Sequence, residues 1–119
     1  MYYVSKRMEI AGAHYLDLSY ESKCSNLHGH NWIVTVHCKA KKLSSDGMVV
    51  DFTQIKRLVH EQFDHKCLNA VPPFDRINPT AENMARHICD LLASLGCYKV
   101  EVQESEGNIA VYEVDHEST

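Results

Sequence analysis

The chain has 119 residues, a net charge of −4 and 45% hydrophobic content. That is enough apolar material for one domain and too much for a disordered chain, and the charge is wrong for a nucleic-acid binder, which needs a basic stripe that is missing here. No apolar run reaches the length of a membrane span, and Met1-Tyr2-Tyr3-Val4-Ser5-Lys6-Arg7 lacks the apolar core of a signal peptide. The five cysteines, Cys24, Cys38, Cys67, Cys89 and Cys97, are odd in number and show no CxxC spacing, so reduced thiols and a cytoplasmic location are expected.

In chain order, the pattern predicts a strand over about residues 2–15, with Met8, Ile10, Gly12 and His14 on one face. A polar loop covers 16–27. A second strand is predicted over 28–40, with Trp32, Val34, Val36, Cys38 and Ala40 forming its apolar face. Asp46-Gly47 signals a hairpin into a short strand at Met48-Val49-Val50. Asp51 reads as a helix N-cap, with Gln54 completing a capping-box pattern, and Phe52, Ile55, Leu58, Val59 and Phe63 share a helical face. Ala70-Val71-Pro72-Pro73 breaks the chain. A second helix starts near Asn78-Pro79-Thr80, carries Met84, Ala85, Ile88, Leu91, Leu92 and Leu95, and closes at Gly96 as a C′ glycine. Two final strands follow, over about 98–104 and 108–114, joined at Glu106-Gly107-Asn108. This order implies an α+β domain with a four-stranded antiparallel sheet and two helices on one face. Two helices leave the sheet edges open, so pairing with other subunits is expected.

His28-Gly29-His30 leads into the second strand, and at i and i+2 both imidazoles point to the Trp32 side. His14 lies on the Met8/Ile10 face of the preceding strand. If those strands pair, three imidazoles converge, with one position left for water or substrate, which is the arrangement of a catalytic zinc site. The alternative is a turn whose histidines are solvated. His37, His60, His87 and His116 lack such company and read as surface residues.

Cys24 sits in the loop four residues before His28, beside Lys23, where a depressed pKa would suit a base or nucleophile. The other cysteines read as packing residues. Asp64-His65 ends the first helix, either as a proton relay or as a C-terminal histidine answering the helix dipole, the reading preferred without context. Glu104 shares the alternation phase of Tyr98, Val100 and Val102. An acid on an apolar strand face usually has a partner or a ligand; the alternative is a strand that ends at Gln103 and leaves Glu104 exposed.

Taken together, these segments resemble the 6-pyruvoyl-tetrahydropterin synthase superfamily, whose bacterial branch includes 6-carboxy-5,6,7,8-tetrahydropterin synthase of queuosine biosynthesis. The matching segments are Ala13-His14, Cys24-Ser25-Asn26-Leu27-His28-Gly29-His30, Gly47-Met48-Val49-Val50-Asp51-Phe52, Phe63-Asp64-His65-Lys66-Cys67-Leu68-Asn69, Asn78-Pro79-Thr80-Ala81-Glu82-Asn83 and Val102-Gln103-Glu104-Ser105. They run in order over nearly the whole chain. The one departure is Phe63, where the family usually has Leu.

The resemblance implies one tunnelling-fold (T-fold) domain over residues 1–119, assembled as trimers that close a barrel and stack into a hexamer, with active sites between subunits. It implies Zn2+ on His14, His28 and His30, and 7,8-dihydroneopterin triphosphate as substrate. In the implied roles, Cys24 moves protons, His65 relays them under the guidance of Asp64, Glu104 holds the pterin ring, and Thr80, Ala81 and Glu82 help to hold it. The carboxy branch releases triphosphate and acetaldehyde; the pyruvoyl branch keeps the side chain. Compact length and motif spacing point to the carboxy branch. A non-catalytic, metal-stabilised pterin-binding module is the competing class.

Overall fold

The structure is a computed structural model that describes residues 1–115; His116 lies outside them. Among the described residues are five strands and two α-helices: β1 (Tyr2–His14), β2 (His28–Ala40), α1 (Phe52–Phe63), β3 (Lys66–Cys67), α2 (Ala81–Leu91), β4 (Cys97–Ser105) and β5 (Asn108–Glu113). The sheet order is β3-β1-β2-β4-β5. All pairs are antiparallel except β1 with β3, which is parallel.

The alternation that predicted the long strands is what buries them. Met8 and Ile10 of β1, Trp32, Val34 and Val36 of β2, and Val100 and Val102 of β4 share the helix-covered face. They pack with Ile55, Val59 and Phe63 of α1 and Met84, Ala85 and Ile88 of α2. At about 1.5–3 kcal/mol for each large side chain taken out of water, this single layer outweighs the weak preference of the helices to form alone. Asp51 caps α1 by accepting from the Thr53 amide and hydroxyl. Thr80 caps α2 through the Asn83 amide.

Four expectations are corrected. Met48-Val49-Val50 forms no strand. The Asp46-Gly47 turn is present, closed by Gly47 N–H to Ser44 and Ser44 N–H to Met48, but Val49 and Val50 lean on the core and lead straight into the α1 cap. The additional strand is β3 instead, so the sheet is five-stranded and mixed rather than four-stranded and antiparallel. The second helix stops at Leu91, and the turn of 3-10 helix Ala93–Leu95 precedes Gly96. Gly96 has φ +87°, and a Cβ there would lie 2.6 Å from the Lys39 carbonyl, so only glycine fits. Finally, a bulge between His37 and Cys38 sets Cys97 opposite Cys38 and removes Tyr98 from the apolar face; its ring meets Tyr3 and His37 on the other side.

The thiols divide accordingly. Cys38, Cys89 and Cys97 are buried together, whereas Cys67, expected to pack, is exposed on β3. The Cys38 contact, and then burial, push the Cys97 thiol up to about 11 against the lowering effect of Cys89; the Cys97 contact and burial push that of Cys89 still higher, while the Cys97 contact holds the Cys38 thiol below its ordinary value. The raised Cys89 and Cys97 thiols serve as packing groups.

Candidate active site

The β1–β2 register sets His14 directly opposite His28, and Gly12 opposite His30. Three imidazoles therefore meet on the helix-covered face, with ring centroids 4.6, 4.8 and 5.2 Å apart. Glu104 joins them from β4. One ligand atom from each of the four residues lies within 4.8 Å of all the others.

Two of the three rings have their other side fixed. His14 Nδ1–H donates to the Pro79 carbonyl at 2.8 Å, and His28 Nδ1–H donates to the Asn26 carbonyl at 2.7 Å. A nitrogen facing a carbonyl must carry the proton, so in both rings Nε2 is left with a free lone pair. His14 is completely buried, and its Nε2 and that of His30 have no hydrogen-bond partner. His30 Nε2 lies 3.0 Å from Glu104 Oε1, and His14 Nε2 lies 3.8 Å from it, in both cases without hydrogen-bond alignment. An unpaired buried nitrogen costs on the order of 1–3 kcal/mol, and two side by side are offset only if something binds between them. Burial is the largest influence on His14 and pushes its imidazole below the ordinary 6.5; the neighbouring imidazoles add to this, against the Pro79 bond and Glu104. The neutral, ligating form is thus favoured. These residues fit a divalent metal.

Trp32 underlies the cluster. Its indole N–H donates to the Gly12 carbonyl at 3.1 Å, and its ring meets His14 and His30 edge-on at 4.9 and 5.3 Å. It is the chain's one tryptophan. Adding zinc to chelator-treated protein will therefore change the intrinsic fluorescence and saturate at one equivalent per chain. Emission unmoved by zinc would mean that the metal is not held at these imidazoles.

Glu104 also lines a groove of about 430 Å³ together with Ala81, Glu82 and the turn residues Gly107 and Asn108. The structure thus gathers Glu104, Ala81 and Glu82, while Thr80 stands just behind as the α2 cap. Asp64 and His65 lie elsewhere along β1. Asp64 Oδ1 accepts from the Ala11 amide at 2.9 Å, and the His65 amide donates to the Ala11 carbonyl at 2.7 Å. His65 takes a left-handed φ of +57° to do so. Its Nδ1 lies 3.0 Å from Asp64 Oδ2, and its ring is 81% exposed. Partial burial raises the Asp64 carboxyl, but the Ala11 amide and the two nearby imidazoles outweigh it and hold the group below the usual carboxylate range. A groove of about 460 Å³ has both His30 and His65 on its wall. Cys24 is half-buried in the 3-10 turn Lys23–Ser25. Among the described residues no hydrogen bond or ion pair joins its thiol to the imidazoles or to Asp64.

Three histidines expected at the surface have partners. His37 Nε2 lies 2.7 Å from Glu101 Oε2 on the open sheet face. His87 packs edge-on against Phe63 and Phe74, with burial lowering its pKa. His60 reaches Asp64 from one helical turn back, at 3.3 Å. An i, i+4 spacing from Asp64 was the available signal for His60. The Pro79 and Asn26 carbonyls are backbone groups and left no such signal.

The model of the family described as 6-pyruvoyl tetrahydropterin synthase matches residues 3–115. A Bacillus subtilis 6-carboxy-5,6,7,8-tetrahydropterin synthase is 31% identical over 121 residues, covering 92% of this chain and 83% of that protein. Human 6-pyruvoyl tetrahydrobiopterin synthase is 33% identical over 129 residues, covering 92% and 89%. The solved structure of Caenorhabditis elegans 6-pyruvoyl tetrahydropterin synthase superposes with a TM-score of 0.77 at 27% identity, covering 96% of each chain. With a matching fold, a convergent imidazole cluster and relatives aligned along nearly its full length, this chain belongs to the 6-pyruvoyl tetrahydropterin synthase family.

Proposed function

We propose that the chain is a cytoplasmic zinc-dependent lyase that converts 7,8-dihydroneopterin triphosphate and one water to 6-carboxy-5,6,7,8-tetrahydropterin, releasing triphosphate and acetaldehyde on the way to queuosine. The observation that carries this reading is the His14/His28/His30 cluster with Glu104 reaching from it into the Ala81/Glu82 groove. His14, His28 and His30 would hold Zn2+, which when bound acts as a Lewis acid and makes the substrate's side-chain hydroxyls easier to deprotonate. Glu104 accepts hydrogen bonds from the amino and ring N–H groups of the pterin, and the first turn of α2 at Thr80, Ala81 and Glu82 borders the ring. The Cys24 thiolate takes and returns protons on the side chain. His65, held in one tautomer by Asp64, exchanges them with solvent through its exposed ring.

Similarity to the human enzyme supports a second product, the 6-pyruvoyl compound, in which triphosphate leaves and the side chain stays whole. Mass analysis of the pterin formed from 7,8-dihydroneopterin triphosphate separates the two: a 6-carboxy product with acetaldehyde supports the first, a 6-pyruvoyl product the second, and no turnover by zinc-loaded protein overturns both in favour of a pterin-binding module.

Assembly belongs to the same reading. The exposed edge of β5 carries Ile109 and Val111, each more than half exposed. Pairing of such edges between copies closes the sheet. Light scattering at micromolar concentration is expected to give a hexamer; a monomer would contradict a site shared between subunits.

A further inference from the structure

Asp64 is reached by two imidazoles, both through Nδ1 and both at the same oxygen. His65 lies 3.0 Å from Oδ2 and His60 lies 3.3 Å from it, while Oδ1 is taken by the Ala11 amide. The two rings are not equivalent. His65 is 81% exposed, so its far nitrogen opens to solvent. His60 is only 26% exposed, and its Nε2 is buried with no hydrogen-bond partner. Next to a carboxylate, His60 Nδ1 is stable only as a donor. A second proton would have to sit on Nε2, where no acceptor meets it. His60 thus turns its Nδ1 to the carboxylate and its far nitrogen into the protein, whereas the far nitrogen of His65 faces solvent.

We propose that His60 is a positioning residue for the Asp64–His65 pair: it fixes the carboxylate from the helix side and takes a share of Oδ2, which limits how strongly that oxygen binds the His65 proton. This rests on the reading of Asp64–His65 as a proton relay. Its consequence is directional. Remove the His60 donor and Oδ2 turns wholly to His65, whose protonated form is then held more tightly.

The test is a proton NMR titration of the His65 ring in metal-free protein without substrate, so that neither zinc nor turnover enters the readout. In His60→Ala the His65 midpoint is expected to rise, by roughly threefold in proton affinity. His60→Asn places an amide nitrogen where the imidazole Nδ1 stood, and it should return the midpoint to the wild-type value. The charged neighbours bordering His60 are Lys6, Arg7 and Glu9 on β1 and Lys56 on α1. They are identical in all three proteins and cancel in the comparison. A midpoint that does not move in His60→Ala overturns the proposal, and so does one that moves equally in His60→Asn. The relay reading is judged separately. Normal turnover by His65→Ala would refute the relay while the titration result for His60 stood. If both hold, the acid limb of the kcat profile moves with the His65 midpoint.

Discussion

Replacing His28 by alanine will strip the metal and reduce turnover to background. His28 is the ring most easily removed without harm to the fold: it lies at the start of β2, is only partly buried, and its one hydrogen bond is local, to the Asn26 carbonyl two residues away. His14 is a poorer choice, because it is completely buried and bridges β1 to the Pro79 carbonyl ahead of α2. Loss of an outer-shell partner alone weakens metal binding by about 10–100-fold, and loss of a ligand should cost at least the upper end of that range. Zinc retained after dialysis against a chelator is the direct measurement, with tryptophan fluorescence as a second readout. His37→Ala is the control. It removes a histidine of the same strand that is paired with Glu101 on the opposite face, so its zinc should be unchanged. A His28→Ala protein with full zinc and full activity would overturn the three-imidazole site.

That site could be read from the sequence because strand geometry is strict. A period of two forces His28 and His30 to one side, and the same rule places Glu104 with Val100 and Val102. The register could not be read in this way. That His14 faces His28, and not His30, follows from the full β1–β2 pairing. Tyr98 shows the limit of alternation, since one bulged residue reversed its side while leaving Val100 onward in phase. β3 is a different kind of omission. Lys66-Cys67 has no strand signal of its own; it pairs with Gly12 and Ala13 because Ala11 grips Asp64 and His65 just before it. The Met48–Val50 expectation failed for the converse reason. Three apolar residues after a turn suggest a strand, but Val49 and Val50 found their burial against the core without a partner strand.

The proton-transfer role proposed for Cys24 and the ring-binding role proposed for Glu104 can be separated by two substitutions. Cys24 lies outside the convergent ligand group, in a turn held by its own backbone: the Cys24 amide donates to Ser22 Oγ and its carbonyl accepts from the Leu16 amide. Truncating the thiol should disturb neither contact, so Cys24→Ala should keep its zinc, keep its affinity for a pterin and lose most of kcat. Glu104 has the opposite profile. It lies between the imidazoles and the Ala81/Glu82 groove, 28% exposed, with one oxygen toward His30. Glu104→Ala should retain metal on the three imidazoles and bind a non-reactive pterin more weakly by roughly 2–4 kcal/mol, the value of two charge-assisted hydrogen bonds. Isothermal titration with that pterin, beside zinc analysis of both variants, decides between the roles. Normal turnover by Cys24→Ala would remove the thiol from the chemistry, and loss of its zinc would make the thiol a ligand. If Glu104→Ala loses its metal while His37→Ala keeps it, the carboxylate is the fourth ligand, the 3.0 Å approach to His30 is its resting position, and the pterin ring must be held by other groups of the α2 turn.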